Sequence, residues 1–454
     1  MTRRIITALL RLALRVFFRH IEVAGAEHVP PESPVIFVLN HPNGLVDPVF
    51  LLCLAPRRVS FLAKAPLFQM PLVGSFVRAL DALPVYRRQD KDSNPARNRE
   101  TFEMARALLS RGGTIGICPE GVSHSDTQLK PLKTGAARIA LGAASAGAGL
   151  DVKIVPAGLY YTAKKTFRSA ALLCFGEPIT VEPVTLEEDG DPPREAVAAL
   201  SNRIRDALLD NTLNVEHEEA LQLIARAEDI YSAEELTDQR EPHLQRELML
   251  RRRFVEGYAF HRVHQPERLA TLVARLRRYE EELKQAGLDP HELSPPSSTR
   301  AVITHLFKRL FLFSVMLPFA LVGTVVHYPA YRLAGFFATG ILFKVEDDVA
   351  STFKITGAML LFPLTWIAVS VVCLLWLGWI GALGALVLIP FSGFIAIRFA
   401  EELDSFIGSA KAVVYFITRR WFFNRLLVER RAIREEIQAL GNEARRDERQ
   451  AVES

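Results

Sequence analysis

Cysteine is scarce in this chain, and its spacing shows no pairing. Cys53, Cys118, Cys174 and Cys373 are the four in 454 residues, which excludes a disulfide scaffold or a cysteine zinc site and fits a reducing compartment. Neither sign of charge is in excess. The 55 Lys and Arg against 51 Asp and Glu leave a formal +4, too small and too dispersed for a nucleic-acid partner, yet compatible with an anionic membrane surface. There is no internal repeat. No His-x-x-x-His or similar ligand pair lies on one element, which argues against a metal-dependent hydrolase assembled from His41, Asp47, Glu120, His124 and Asp126.

Charge is missing altogether from Ile355 to Ile397. One membrane span needs about 20 apolar residues, so this run predicts two helices in a hairpin, turning near Gly378-Trp379-Ile380-Gly381. Leu310 to Val326 is long enough for a further span. Ala334 to Phe343 adds a short apolar piece, and Pro318, Gly323, Pro329 and Gly335 interrupt the stretch, which predicts a re-entrant or kinked pair. Lys308-Arg309 precedes these runs, and Arg419-Arg420, Arg425, Arg430-Arg431 and Arg434 follow them. Under the positive-inside tendency both ends face the cytoplasm and the number of crossings is even. At the other end, Thr2 to His20 mixes Arg3, Arg4, Arg11, Arg15 and Arg19 with apolar residues and predicts an interfacial helix. Charges inside that run fit poorly with a cleaved signal peptide.

Between these regions, strand-like runs (Val35 to Leu39, Val59 to Phe61, Thr114 to Cys118, Lys153 to Leu159, Ala171 to Phe175) alternate with helical patterns (Pro48 to Leu54, Ala96 to Ser110, Gly135 to Ala146). That is an α/β layout. Glu188-Asp189-Gly190-Asp191-Pro192-Pro193 then opens a charged segment with helices at Arg194 to Asp210, His217 to Ile230, Leu244 to Val263 and Pro266 to Ala286, the last capped by Gly287. The expected organisation is an N-terminal interfacial helix (1–20), an α/β domain (21–185), a charged helical segment (186–298), a membrane-spanning region (299–400) and a charged helical tail (401–454).

The chemistry concentrates at His41-Pro42-Asn43-Gly44-Leu45-Val46-Asp47, which follows the first buried strand, where open α/β sheets place their sites. A histidine held by a carboxylate can take a proton from an alcohol near neutral pH. The Asn-Gly turn lets the loop fold Asp47 back toward the ring.

Four motifs occur in order: Asn40-His41-Pro42 through Asp47-Pro48; Leu83-Pro84-Val85-Tyr86-Arg87, preceded by Gly74; Cys118-Pro119-Glu120-Gly121-Val122-Ser123-His124; and Ile154-Val155-Pro156-Ala157-Gly158. Together they resemble the glycerol-phosphate acyltransferases. The extra residue between His41 and Asp47 resembles a eukaryote-type branch acting on glycerol-3-phosphate or dihydroxyacetone phosphate, as does the short motif Asp348 to Lys354, while Leu132-Lys133-Thr134-Gly135 is similar to the family's Lys-x-Gly-Ala helix start. The resemblance implies a glycerolipid acyltransferase-like mixed sheet flanked by helices, followed by a helical segment and a C-terminal transmembrane region. It implies His41 as general base and Asp47 as its partner, with Arg87 gripping the acceptor phosphate and Glu120, Gly121, Ser123 and Lys133 shaping the acceptor site; Lys130 and Arg168 are further candidate cations. No metal or cofactor is implied beyond acyl-CoA or acyl-carrier protein as co-substrate. The implied partners are that thioester donor, a phosphorylated glycerol acceptor and a lipid bilayer, with the catalytic domain in the cytoplasm and no oligomeric state indicated. A 1-acyl-glycerol-3-phosphate acceptor is the alternative, and a non-catalytic membrane scaffold is the rival from another class.

Overall fold

Val35-Ile36-Phe37-Val38-Leu39 forms a strand whose five side chains are all fully buried, as expected of a β-branched run covered on both faces. In a computed structural model of the chain, which describes residues 2–70, 73–87, 97–146, 149–164, 166–215, 244–288, 299–338 and 350–453, this strand lies centrally in an eight-stranded mixed sheet. The strands are β1 (His20–Ala24), β2 (Val35–Leu39), β3 (Val59–Lys64), β4 (Leu83–Val85), β5 (Thr114–Ile117), β6 (Lys153–Tyr161), β7 (Ala170–Phe175) and β8 (Ile179–Thr180). Their order is β1-β7-β6-β2-β5-β3-β4, with β8 on β6. Only β6 with β7 and β6 with β8 are antiparallel pairs. Val38 stands opposite both Ile117 and Pro156. This parallel register ends β2 and β5 side by side and brings the His41 loop against the residues after Cys118.

The helices of this part are α1 (Thr2–Phe17), α2 (Val46–Leu54), α3 (Pro66–Gln69), α4 (Val73–Ala79), α5 (Asn98–Leu109), α6 (Gly135–Ala144) and α7 (Arg194–Asn211). Val35, Phe37 and Leu39 share a core with Leu10, Leu14 and Phe17 of α1 and Phe50 and Leu51 of α2. Ile36 and Val38 face the other way, onto Leu109 of α5, Ile139 of α6 and Leu200 of α7. The period-two alternation thus feeds two helical layers. Helix α1 stops at Phe17, before the expected His20, because His20 to Ala24 pairs with Ala170 to Cys174 as β1. Strands β4 and β8, of three and two residues, are too short to show a periodicity.

Helix α1 has three faces. Leu10, Leu14 and Phe17 are buried, whereas Ile5, Leu9, Leu12 and Val16 form an exposed apolar stripe. Of its arginines, Arg3 bonds the carbonyl of Val59 and Arg11 that of Cys53. Arg4 and Arg15 are exposed, as is Arg19 just beyond the helix.

Three further helices continue the chain: α8 (Leu244–His264), α9 (Pro266–Ala286) and α10 (Thr299–Ala338). The last two are α11 (Ala350–Thr418) and α12 (Arg420–Glu453). The chain divides into two compact units, one of Met1–Asn214 with Leu244–Leu248 and Ala338–Ile355, the other of the remaining residues. Within the second, Leu272, Leu276, Tyr279 and Leu283 of α9 pack on Phe423, Leu426, Ile433 and Ile437 of α12. Gly287 caps α9 with a left-handed φ of 63°. Of the stretch expected to form a re-entrant or kinked pair, residues 310–338 lie within one helix, and residues 339–343 lie outside the described residues. Helix α10 runs unbroken through Pro318 and Pro329 to Ala338, because neighbouring turns can absorb a missing donor in an apolar helix. Helix α11 breaks at Gly378, whose φ of 74° and ψ of −171° suit glycine alone. Two helices, Phe307–Phe336 and Lys354–Asp404, are long and apolar enough to cross a membrane. The helix expected at His217 to Ile230 and residues 348 and 349 of the short motif lie outside the described residues.

Candidate active site

The end of β2 is fastened to β6 by one side chain. Asn40 Nδ2 donates to the Leu159 carbonyl at 3.0 Å and Oδ1 accepts from the Leu159 amide at 2.7 Å. The chain then turns through Gly44, at a φ of +43°, and Val46 N bonds the Asn43 carbonyl as α2 begins. Asp47 falls in the first turn of that helix, where the dipole favours a carboxylate. Its Oδ2 lies 2.9 Å from His41 Nδ1 and accepts the Asn43 amide at 2.7 Å, while Oδ1 accepts the Tyr161 hydroxyl at 2.6 Å. Asp47 is fully buried, whereas the His41 side chain keeps 18% exposure. With Nδ1–H donating to Asp47, Nε2 is the nitrogen able to take a proton.

Burial works to lower the pKa of the His41 imidazole. The adjoining Cys118 and Asp47 groups more than offset it and hold the ring well above the usual histidine value. Burial pushes the Cys118 thiol up, against the opposing influence of His41. Burial, reinforced by Asp47, likewise raises Tyr161 and keeps its hydroxyl a donor.

The third motif reaches the same loop by another route. Glu120 Oε1 accepts the His41 amide at 2.9 Å, and Oε2 accepts the Lys130 amide at 2.8 Å together with His124 Nε2. Glu120 is 2% exposed, so both carboxylate oxygens are engaged inside the protein. Gly121 follows at a φ of +74°, a left-handed turn that favours glycine. Its carbonyl accepts Arg87 Nη1 at 2.8 Å. Arg87 is presented by Tyr86, whose amide and carbonyl are both bonded by the Asn98 side chain. Lys133 is exposed and its stem passes over Gly121, and half-buried Ser123 lies in the same loop. Thus the structure gathers His41, Asp47, Glu120, Gly121, Arg87 and Lys133. Lys130 Nζ instead pairs with Asp126 at 3.2 Å. Arg168 turns to the last carbonyls of α1, those of Arg15 and Val16. Among the described residues no three His, Cys, Asp or Glu side chains converge as metal ligands would.

Tyr161 was not legible as a site residue. The available signal was positional: it ends β6, next to β2, so alternation sends it to the face that carries Phe18 and Phe50, on which its ring packs. His124 carried a role in the sequence only as a ligand in the metal reading.

Two family profiles match, the Acyltransferase family over residues 20–160 and the glycerol-3-phosphate acyltransferase 2 C-terminal domain over residues 229–445. Glycerol-3-phosphate O-acyltransferase 2 of Saccharomyces cerevisiae is 31% identical over 61% of this chain and 38% of its own length. Glycerol-3-phosphate O-acyltransferase 1 of the same yeast is 28% identical over 81% of this chain and 60% of its own. The match therefore spans less than two thirds of either yeast relative. The 1-acyl-sn-glycerol-3-phosphate acyltransferase of Bacillus subtilis is 29% identical over 43% of this chain and 90% of its own length. By these matches the chain carries an Acyltransferase domain over residues 20–160, followed by a segment similar to the glycerol-3-phosphate acyltransferase 2 C-terminal domain.

Proposed function

We propose that this chain moves a fatty acyl group from a thioester, acyl-CoA or acyl-carrier protein, to the sn-1 hydroxyl of glycerol-3-phosphate or dihydroxyacetone phosphate. The observation that carries the reading is the His41–Asp47 pair, 2.9 Å apart at the end of a buried strand. His41 Nε2 takes the proton of the acceptor hydroxyl as the oxygen attacks the thioester carbonyl. Asp47 holds the ring and stabilises the imidazolium that forms. The tetrahedral intermediate expels the thiolate, which the imidazolium reprotonates. No acyl-enzyme is required, because the thioester is already activated. Arg87 is assigned to the acceptor phosphate, which a guanidinium can grip through paired, charge-assisted bonds. Gly121, Ser123 and Lys133 shape the same side of the site, and Glu120 supports it from within.

Glycerol-3-phosphate is preferred as acceptor because the yeast relatives bear its name and the match with the second of them covers most of this chain. The lysophosphatidate alternative draws support from the Bacillus relative, whose match is confined to 43% of this chain. Both acceptors yield an amphiphilic product, in keeping with the two apolar helices. In this reading those helices lie in the bilayer, and Lys308-Arg309, at the start of the first apolar helix, support a cytoplasmic catalytic unit. The test supplies purified protein with one acyl-CoA and each of glycerol-3-phosphate, dihydroxyacetone phosphate and lysophosphatidate. Transfer that disappears in His41→Ala and survives chelator supports the reading; no transfer with any acceptor or donor favours a scaffold, and loss on chelation favours metal chemistry.

A further inference from the structure

The peptide flanks of His41 are gripped from two directions by residues of one loop. Glu120 Oε1 accepts the His41 N–H at 2.9 Å, and the His41 carbonyl accepts the His124 N–H at 3.1 Å. His124 then closes the circuit, because its Nε2 bonds the second oxygen of Glu120, which also accepts the Lys130 amide. Both side chains are almost fully enclosed, at 8% and 1% exposure. Nδ1 of His124 faces the exposed carboxylate of Asp126 at 3.7 Å, and Asp126 in turn pairs with Lys130. A buried carboxylate with both oxygens bonded to protein donors is a fixed strut.

We propose that His124 is a positioning residue: by locking the Glu120 carboxylate and holding the His41 carbonyl, it sets where the imidazole of His41 stands above the reacting hydroxyl. This extends the function proposed above and rests on His41 being the base. It gives the third-motif carboxylate a task directed at the histidine backbone, apart from the acceptor. The physical ground is the steep dependence of proton transfer on geometry, since a displacement of about 1 Å costs on the order of 10²-fold in rate. Removing the His124 side chain leaves Glu120 with one fewer donor and free to rotate toward water, which loosens its bond to the His41 amide.

The test compares wild type, His124→Asn, His124→Gln and His41→Ala in detergent, with glycerol-3-phosphate and acyl-CoA, each variant first shown to melt cooperatively. The asparagine amide is too short to reach Glu120, whereas the glutamine amide nitrogen falls near the place of Nε2. His124→Asn is expected to lower kcat roughly 10- to 100-fold while the acceptor KM stays within about threefold, and His124→Gln to recover most of that loss. A rise in acceptor KM with kcat unchanged overturns the proposal, as does an unchanged kcat in His124→Asn. Equal losses in both variants overturn it too, since the replacement able to reach the carboxylate must rescue. If His124→Asn does not fold, Glu120→Gln carries the test, with the same fall in kcat and constant KM expected. Absence of activity in the wild type with every acceptor marks failure of the proposed function itself, a result distinct from all of these.

Discussion

Tyr161 donates its hydroxyl to Asp47 Oδ1 at 2.6 Å, occupying the carboxylate oxygen that the histidine does not use. Asp47 is therefore held by three donors, one from β6 and two from the loop it anchors. Tyr161→Phe removes one donor and leaves a buried carboxylate oxygen without it. The expected cost is about 1–3 kcal/mol of stability and a fall in kcat of roughly tenfold, read by thermal melting and by initial rates.

The raised pKa of His41 sets the pH behaviour. The base must be unprotonated to act, so kcat/KM is expected to climb with pH along a limb displaced above the usual histidine range. Asp47→Asn removes one of the groups that raise the pKa, so the limb moves to lower pH and the plateau falls on the order of 10²- to 10⁴-fold. Stability has the opposite sign. A folded pKa above the unfolded one contributes stability in full below the unfolded value, and that contribution is lost as pH rises through the folded value. Urea midpoints of wild type and His41→Gln across that window give the difference.

Arg87 offers a separate test of acceptor recognition. Its guanidinium already donates to the Gly121 carbonyl, so the arm is directed toward the third motif before substrate arrives. Arg87→Ala is expected to raise the KM for the phosphorylated acceptor by about 10- to 100-fold, in line with one lost charge-assisted contact of about 1.5–3 kcal/mol, with little change in the KM for acyl-CoA. Titration of each substrate at saturating levels of the other resolves the two.

Cys118 separates direct transfer from a covalent route. Its thiol lies beside His41, where burial pushes its pKa up, and a thiol is a far weaker nucleophile than its thiolate. Cys118→Ala is expected to retain activity within a few-fold, and intact-mass measurement after mixing with acyl-CoA alone should show no acylated protein. A stable acyl adduct that vanishes in the variant would contradict direct attack.

Gly158 carries a structural prediction in the fourth motif. A Cβ built there would stand 1.8 Å from the Asn211 carbonyl oxygen, so Gly158→Ala must force the end of α7 away from β6. Overpacking of this kind costs typically 1–3 kcal/mol and should lower the melting temperature accordingly.

How much of this was readable in the sequence depends on whether the signal is local. Val35 to Leu39 announces a buried strand because every residue is apolar, and Gly378 announces a helix break because small residues meet tryptophan within an uncharged run. His41, Asp47 and Arg87 stood out through ordered motifs. Tyr161, by contrast, acts across 114 residues, and only the adjacency of β2 and β6 reveals it. Glu120 was legible as important but not in its direction, since nothing in Pro119-Glu120-Gly121 says that its carboxylate turns inward to a backbone amide. The course of α10 was less legible, because proline breaks helices in water, while an apolar helix such as this one carries Pro318 and Pro329 without interruption.

One long-distance bond has a consequence for how the protein is made. Leu45, inside the loop between His41 and Asp47, donates its amide to Thr352 Oγ1 at 3.2 Å, across 307 positions of sequence, and Ile355 packs against the core beneath. At about 5–20 residues per second, a ribosome that has just finished Leu45 needs roughly 15–60 s to deliver Thr352. The nascent sheet domain thus emerges without this fastening of its loop and acquires it only after the first apolar helix, Phe307–Phe336, has been made.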